Sequence, residues 1–488
     1  MQMDENQGYQ VLAMLLRKKI HLLNVHILHL VFTLVGTLDA TKDVVGVPNI
    51  PAFRDILCDL DLWHAAPVDL EKSLFEHFSE LVSDSKKSFE TIKLMRDFGV
   101  IEKLLSILKQ MESTSNPSIQ TLLKVVHGLL CTSPRVSDVL CFALFTAAQV
   151  NEAEQDEKLH DLKLNEDGTD ILEGPIEKPE MMENVKKSPN PNRSKTIIDK
   201  IVLRNRCLKL FHSLLYHVDD IEIHANYCED VAQVVGFDWV LLFLQGHLHP
   251  STVVWGLRIL MTLVSLPQLM IKFRSGSCNG HWLLKSENVL HNKMIDALGQ
   301  GQATNTRVSQ NNIRRDIFQV PGFQQLNWLM PSHTEISDAY FLLAGILLGR
   351  TVKEGPLKAK RLDLDAVWEY VFGCKASDVS NQVETFGKIN VCGDAAMTIL
   401  VMVRKLLNSS TEQPDWLHDY PMMLTQFLFY LYHNVSDFMP AFNVPEVLTS
   451  LVGSLFPSHV DDTTEQRIFS QDGDSSASAT DGKHIFFK

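Results

Sequence analysis

Apolar side chains recur along this chain at steps of three and four residues, the period of a helix that buries one face. After Pro67 and Asp69, the positions Leu74, Phe75, Phe78, Leu81 and Val82 share a face, and Ile101, Leu104, Leu105 and Leu108 repeat the pattern. Asn116 and Pro117 make a helix start, a capping side chain followed by a residue suited to the first turn. Behind them Ile119, Leu122, Leu123, Val126, Leu129 and Leu130 form a further stripe. The pattern resumes with Leu208, Phe211, Leu215 and Val218. It continues through a helix capped by Thr334, holding Phe341 to Leu347 and stopping at Gly349. Ala395 to Leu407 is strongly apolar, with Arg404 and Lys405 near its negative end. Pro421 opens a last, aromatic-rich helix with Phe427, Phe429, Tyr430 and Tyr432. No strand-like alternation runs over a comparable length.

The most apolar stretch is Gly236 to Pro267, GFDWVLLFLQGHLHPSTVVWGLRILMTLVSLP. It reads as two helices. Gly246 ends the first in the left-handed conformation, and Ser251 caps the second, which begins at Thr252. From Thr252 to Leu266 almost every side is apolar, so this helix must be buried on several sides. An antiparallel pair stacked between other pairs satisfies that demand.

Two stretches break the grammar. Residues 151–196 are rich in Glu and Asp, carry Pro175, Pro179, Pro189 and Pro191, and hold few large apolar residues. Such a segment buries too little surface to offset its ordering entropy, so a flexible acidic insertion is expected. Its plain reading is a solvated linker; its functional reading is a docking or regulatory loop with Ser188-Pro189 as a phosphorylation candidate. Residues 458–488 read as a disordered tail. The expected organisation is a helical repeat segment at 1–150, the insertion at 151–196, a second helical segment at 197–457, and the tail. The helix pairs keep no fixed period, which argues against tetratricopeptide or ankyrin repeats. The expected fold is all-α, an irregular armadillo/HEAT-like α-solenoid.

Residues 20–38 are uncharged, follow Arg17, Lys18 and Lys19, and approach the length of a membrane span. A membrane-anchored protein using this segment is the alternative reading. On a helical wheel, however, His21, Asn24, His26, His29 and Thr33 gather opposite Leu23, Ile27, Leu30, Val31, Leu34 and Val35. That is the pattern of an amphipathic repeat helix. No small-residue cleavage site follows, which argues against a signal peptide.

Charge and cysteines narrow the function classes. The 488 residues carry a net charge of −14, against a primary role in binding nucleic acid. The eight cysteines are scattered without a CxxC pair, as free, mostly buried thiols in a reducing compartment are. There is no Walker loop, dinucleotide fingerprint, HExxH or GxSxG, and no catalytic set or cofactor site emerges. His247 and His249 form an HxH in a helix-pair turn without a nearby third ligand, short of what zinc needs. Asp363 and Asp365 lack the glycine and glutamate of a calcium loop. Trp239, Trp255 and Trp368 read as core at helical spacing. Trp368-Glu-Tyr-Val371 also matches an aromatic-x-x-aliphatic pattern that binds autophagy modifiers by strand addition, so Trp368 and Val371 are the candidate partner-binding residues. The same four residues read equally as one buried helical turn.

Four segments carry a family resemblance: LWHAAPVDLEKSLFEHFSELVSDS (Leu62–Ser85), GFDWVLLFLQGHLHPSTVVWGLRILMTLVS (Gly236–Ser265), PGFQQLNWLMPSHT (Pro321–Thr334) and YPMMLTQFLFYLYHNVSDF (Tyr420–Phe438). They resemble the region upstream of the BEACH domain in the large WD-repeat and FYVE-domain proteins of the ALFY and blue-cheese type. Differences spread along the chain suggest a paralogue of ALFY, of the immune-cell kind, rather than ALFY itself. The resemblance covers most of residues 50–457. It implies a non-catalytic cytoplasmic scaffold with protein partners in the autophagy or endosomal machinery. For the immune paralogue it also implies a part in endosomal antigen handling. The family's membrane-binding modules have no counterpart here: zinc-spaced FYVE cysteines and WD signatures are missing. A fragment or short isoform is therefore expected, with membrane association indirect. No functional residue of the family carries over to a position in this chain.

Overall fold

The computed structural model describes residues 7–38, 47–83, 88–111, 117–132, 134–150, 164, 168–170, 191–217, 222–275, 321–349, 351, 392–408, 420–434 and 438–455. Helix accounts for 79% of them and no strand is present among them, so the protein is all-α as expected. An isolated antiparallel bridge joins Tyr216 to Ile223.

The helices are α1 (Gly8–Lys18), α2 (Val25–Val35), α3 (Leu60–His64), α4 (Val68–Ser83), α5 (Phe89–Asp97), α6 (Val100–Gln110), α7 (Pro117–Leu130) and α8 (Val136–Ala147). They continue with α9 (Pro191–Leu214), α10 (Ala225–Val234), α11 (Phe237–Leu242), α12 (Pro250–Val264), α13 (Pro267–Ser275), α14 (Gly322–Leu329) and α15 (Ser337–Leu347). The last are α16 (Gly393–Asn408), α17 (Tyr420–Asn434), α18 (Phe438–Phe442) and α19 (Pro445–Leu455). A row runs through them in chain order: α2 packs on α4, α4 on α7, α7 on α9, α9 on α12, α12 on α15, α15 on α16 and α16 on α19. The remaining helices flank it, as α8 does between α6 and α9. A helix in the middle of such a row needs apolar groups on opposite sides. That is why α12 buries Val253, Trp255, Leu257, Ile259, Leu260, Met261 and Leu263 together. Where α7 crosses α4, Gly128 permits the approach: a Cβ there would lie 2.5 Å from Val82 Cγ2.

Several local expectations need correction. Residues 20–38 do not form one helix. Ile20–Leu22 is a 3-10 turn, Leu23 is extended, and Asn24 caps α2 by accepting from the Ile27 amide at 3.1 Å. The break leaves eleven residues of helix, too few to span a membrane. Its buried face is Leu28, Val31, Phe32 and Val35, while Leu30 and Leu34 face outward. Among the described residues no single helix is long and apolar enough to cross a membrane. Helices α12 and α13 reach that length only as a pair bent by 113°; α12 is buried in the core, while α13 buries Leu269 and Phe273 and leaves Ile271 63% exposed. Gly246 is not left-handed; it is small because Ser332 presses on it, with Oγ 2.8 Å from where a Cβ would sit. Helix α12 starts at Pro250 rather than Thr252, and its cap is His249, which accepts from the Ser251 amide. Helix α15 is preceded by Ile336, and the Thr334 carbonyl instead accepts from the Tyr340 hydroxyl at 2.9 Å. Gly349 does stop that helix in the left-handed region. The helix near Pro421 is not the last, because α18 and α19 follow it. Helix α9 is already under way at Pro191, within the stretch expected to be insertion.

Candidate interaction site at the seam of α9 and α12

Helix α9 is enclosed by α7, α8 and α12, and its middle is buried on all sides: Ile201, Val202, Leu203, Cys207 and Leu208 are each at most 7% exposed. Three consecutive polar residues, Arg204, Asn205 and Arg206, sit within that run. Consecutive helical positions point about 100° apart, so no single solvent face holds all three. Burial of polar groups is sustained only by hydrogen bonds. Arg204, fully buried, donates to Thr252 Oγ1 from Nε at 3.1 Å and Nη2 at 2.9 Å, and from Nη1 to the Gln149 carbonyl at 3.2 Å. Gln149 lies just past the end of α8, where backbone carbonyls carry the negative end of the helix dipole. Arg96 does the same for α7, donating to the Leu129 carbonyl at 2.6 Å and to Thr132 Oγ1 at 3.0 Å. Burial lowers the affinity of the Arg96 guanidinium for its proton.

The seam also receives part of the acidic stretch. Asn205 Nδ2 donates to the Gly168 carbonyl at 2.8 Å and to Ser251 Oγ at 2.7 Å, while Asn205 Oδ1 accepts from Thr252 Oγ1 at 2.7 Å. Arg206 Nε donates to the Thr169 carbonyl at 2.9 Å, and its Nη2 pairs with the Asp170 carboxylate. Thr169 is 7% exposed. Within the stretch expected to be a flexible acidic insertion, residues 168–170 are bonded to α9. An Asp-Gly turn inside the stretch, and three polar residues inside an apolar helix, were the available signals.

Trp368 and Val371 fall outside the described residues, as do Asp363, Asp365, Ser188 and Pro189. Trp239 is fully buried, donates from Nε1 to the Ala143 carbonyl at 2.9 Å, and packs against Phe211 and Phe243 at 4.7 and 4.9 Å. Trp255 is buried too, with the Arg258 guanidinium 4.7 Å over its ring. Trp328, by contrast, is 57% exposed. His249 serves as the cap of α12, its Nδ1 2.7 Å from Ser251 Oγ. Among the described residues, no group of three His, Cys, Asp or Glu side chains could hold a metal ion. The described cysteines are in no disulfide, and burial pushes the thiols of Cys131 up to about 11 and of Cys207 and Cys228 up to about 12. Groups with such values stay protonated and unreactive near neutral pH.

Fold and seam define an all-helical stacked protein whose buried polar groups join its own layers. Relatives sharpen that class. The chain is 25% identical over 453 residues to WD repeat- and FYVE domain-containing protein 4 of Homo sapiens, covering 92% of this chain and 13% of that protein. Its Mus musculus counterpart matches at 25% over 456 residues, with the same coverage. BEACH domain-containing protein A2 of Arabidopsis thaliana is 21% identical over 248 residues, 49% of this chain and 6% of that protein. The resemblance to the BEACH and WD-repeat and FYVE-domain family, read from the four segments above, is borne out. The chain spans about an eighth of the length of the human and mouse relatives. No family model matches it, and no solved structure does.

Proposed function

We propose that the chain is a non-catalytic helical scaffold of the BEACH and WD-repeat and FYVE-domain type, arranged as an irregular armadillo/HEAT-like α-solenoid and acting in autophagy and endosomal trafficking. The observation that carries this reading is the row from α2 to α19, in which each helix packs on the next. Arrays of that kind have local contacts and expose long surfaces to partners. Similarity along 92% of the chain to far larger proteins named for WD repeats and FYVE domains supports the same reading. Exposed apolar side chains concentrated at Val11, Met14, Leu15, Leu22 and Leu30 supply surface of the sort partners cover. The partners are proteins, and nucleic acid is disfavoured by the net charge of −14. Localisation is cytoplasmic and peripheral to endosomal or autophagic membranes, through partners rather than a span. Trp368 and Val371 are the proposed modifier-binding pair.

Cell fractionation followed by alkaline carbonate extraction tests the proposal. The full chain is expected to co-fractionate with endosomal or autophagic membranes and to be released by carbonate. Retention in the carbonate pellet would restore the anchor reading. Absence from those membranes altogether would defeat the trafficking role.

A further inference from the structure

The turn at residues 168–170 is held by side chains of α9 and α12. Asn205 is fully buried and fixed through its Oδ1 by Thr252, which Arg204 holds in turn, so its Nδ2 is left aimed at the Gly168 carbonyl. Ser251, steadied by His249, forms the wall against which Gly168 lies. A Cβ on Gly168 would sit 2.3 Å from Ser251 Cβ, and its φ of +66° is one that other residues rarely adopt. Glycine is thus required twice at this position. Arg206, whose side chain is only 10% exposed, reads the next carbonyl and then the Asp170 carboxylate, which is 48% exposed. Two backbone carbonyls, an obligatory glycine and a charge-paired aspartate amount to a recognition code: the carbonyls supply affinity, and the glycine and aspartate supply selectivity. Gly168 and Asn205 are 37 positions apart, so holding the turn against α9 carries a loop-closure cost.

We propose that the seam of α9 and α12 is a peptide-recognition groove for a Gly-Thr-Asp turn, occupied in cis by residues 168–170, and that a protein partner presenting an acidic peptide with this Gly-x-Asp pattern competes for it. This reading is independent of the trafficking role. The test uses the full chain and a fluorescein-labelled peptide of residues 164–173 (LNEDGTDILE), followed by fluorescence anisotropy. Gly168→Val ejects the resident turn, so the peptide should bind that variant at least about tenfold more tightly than the wild-type chain. Adding Arg206→Ala, or placing valine at the peptide's own glycine, should remove the gain. Equal binding to wild type and Gly168→Val, or binding that ignores Arg206, overturns the proposal. Far-UV circular dichroism and the melting midpoint report whether Gly168→Val folds. If it does not, Asp170→Lys expels the turn by charge reversal at a half-exposed position, and the same readouts decide.

Discussion

Replacing Trp239 by alanine separates a core tryptophan from a recognition tryptophan. The side chain is fully buried between α8, α9 and α11, touching Phe211 and Phe243 and donating to the Ala143 carbonyl. Truncation removes a large buried ring and leaves a cavity, which costs about 3–5 kcal/mol. Loss of the indole donor contributes about 1 kcal/mol within that range. Trp239→Phe, which keeps most of the volume and loses the donor, should therefore cost only about 1–2 kcal/mol. Trp328→Ala, at a 57% exposed site, should stay within about 0.5 kcal/mol. A long helical array does not unfold in one step, so a single midpoint is a poor gauge. Amide hydrogen exchange resolves the effect locally. With each 1.4 kcal/mol worth a factor of ten, the slowest amides of α8 and α11 should exchange about 10²- to 4 × 10³-fold faster in Trp239→Ala. The reasoning fails if Trp239→Ala leaves those amides protected, or if Trp328→Ala exposes them equally.

Other consequences can be checked on the same protein. By amide hydrogen exchange in α2, Leu28→Ala should cost about 2–5 kcal/mol and Leu30→Ala less than about 0.5, because Leu28 is fully buried and Leu30 is 68% exposed; a reversed order would place the buried face of α2 elsewhere. His77, stacked on Phe32 at 3.9 Å and 2.9 Å from Thr37 Oγ1, is pushed down to about 4 by burial, aided by His29. The unfolded chain then binds this proton more readily than the folded one between about pH 6.5 and 4. Stability should accordingly fall as the pH is lowered through that window, by about 2 kcal/mol at pH 5, and His77→Gln should flatten the slope. Cys58, Cys207 and Cys228 should resist iodoacetamide in the native protein at pH 8 and react fully in denaturant, as intact-mass measurement will show; burial raises the thiol of each. Rapid native labelling at Cys207 would contradict the packing of α9.

The helical class was legible because each helix writes its buried face into the sequence at three- and four-residue steps. The stripe of α7 and the all-round apolar character of α12 both follow from local periodicity. Features decided by distant partners were not legible. Gly246 is small because Ser332 reaches it from a segment far along the chain. His249 rather than Ser251 caps α12, since Ser251 is engaged by Asn205. The wheel put Leu30 and Leu34 on the apolar face and left Leu28 out, whereas the packing of α2 on α4 buries Leu28 and leaves Leu30 exposed. The candidate groove is the extreme case. Its receptor lies on α9 and α12, its ligand lies in an acidic stretch, and nothing in the spacing of Gly168, Asn205 and Ser251 announces that they meet.

The central claim is a row of helices whose stability is local. Hydrogen exchange on the full chain carrying Leu400→Ala, a fully buried change in α16, tests it most directly. In a one-dimensional array, protection should fall in α15, α16 and α19 while α4 and α7 keep their wild-type rates. Loss of protection in α4 and α7 of the same size as in α16 would mean a single cooperative globule and contradict the scaffold account.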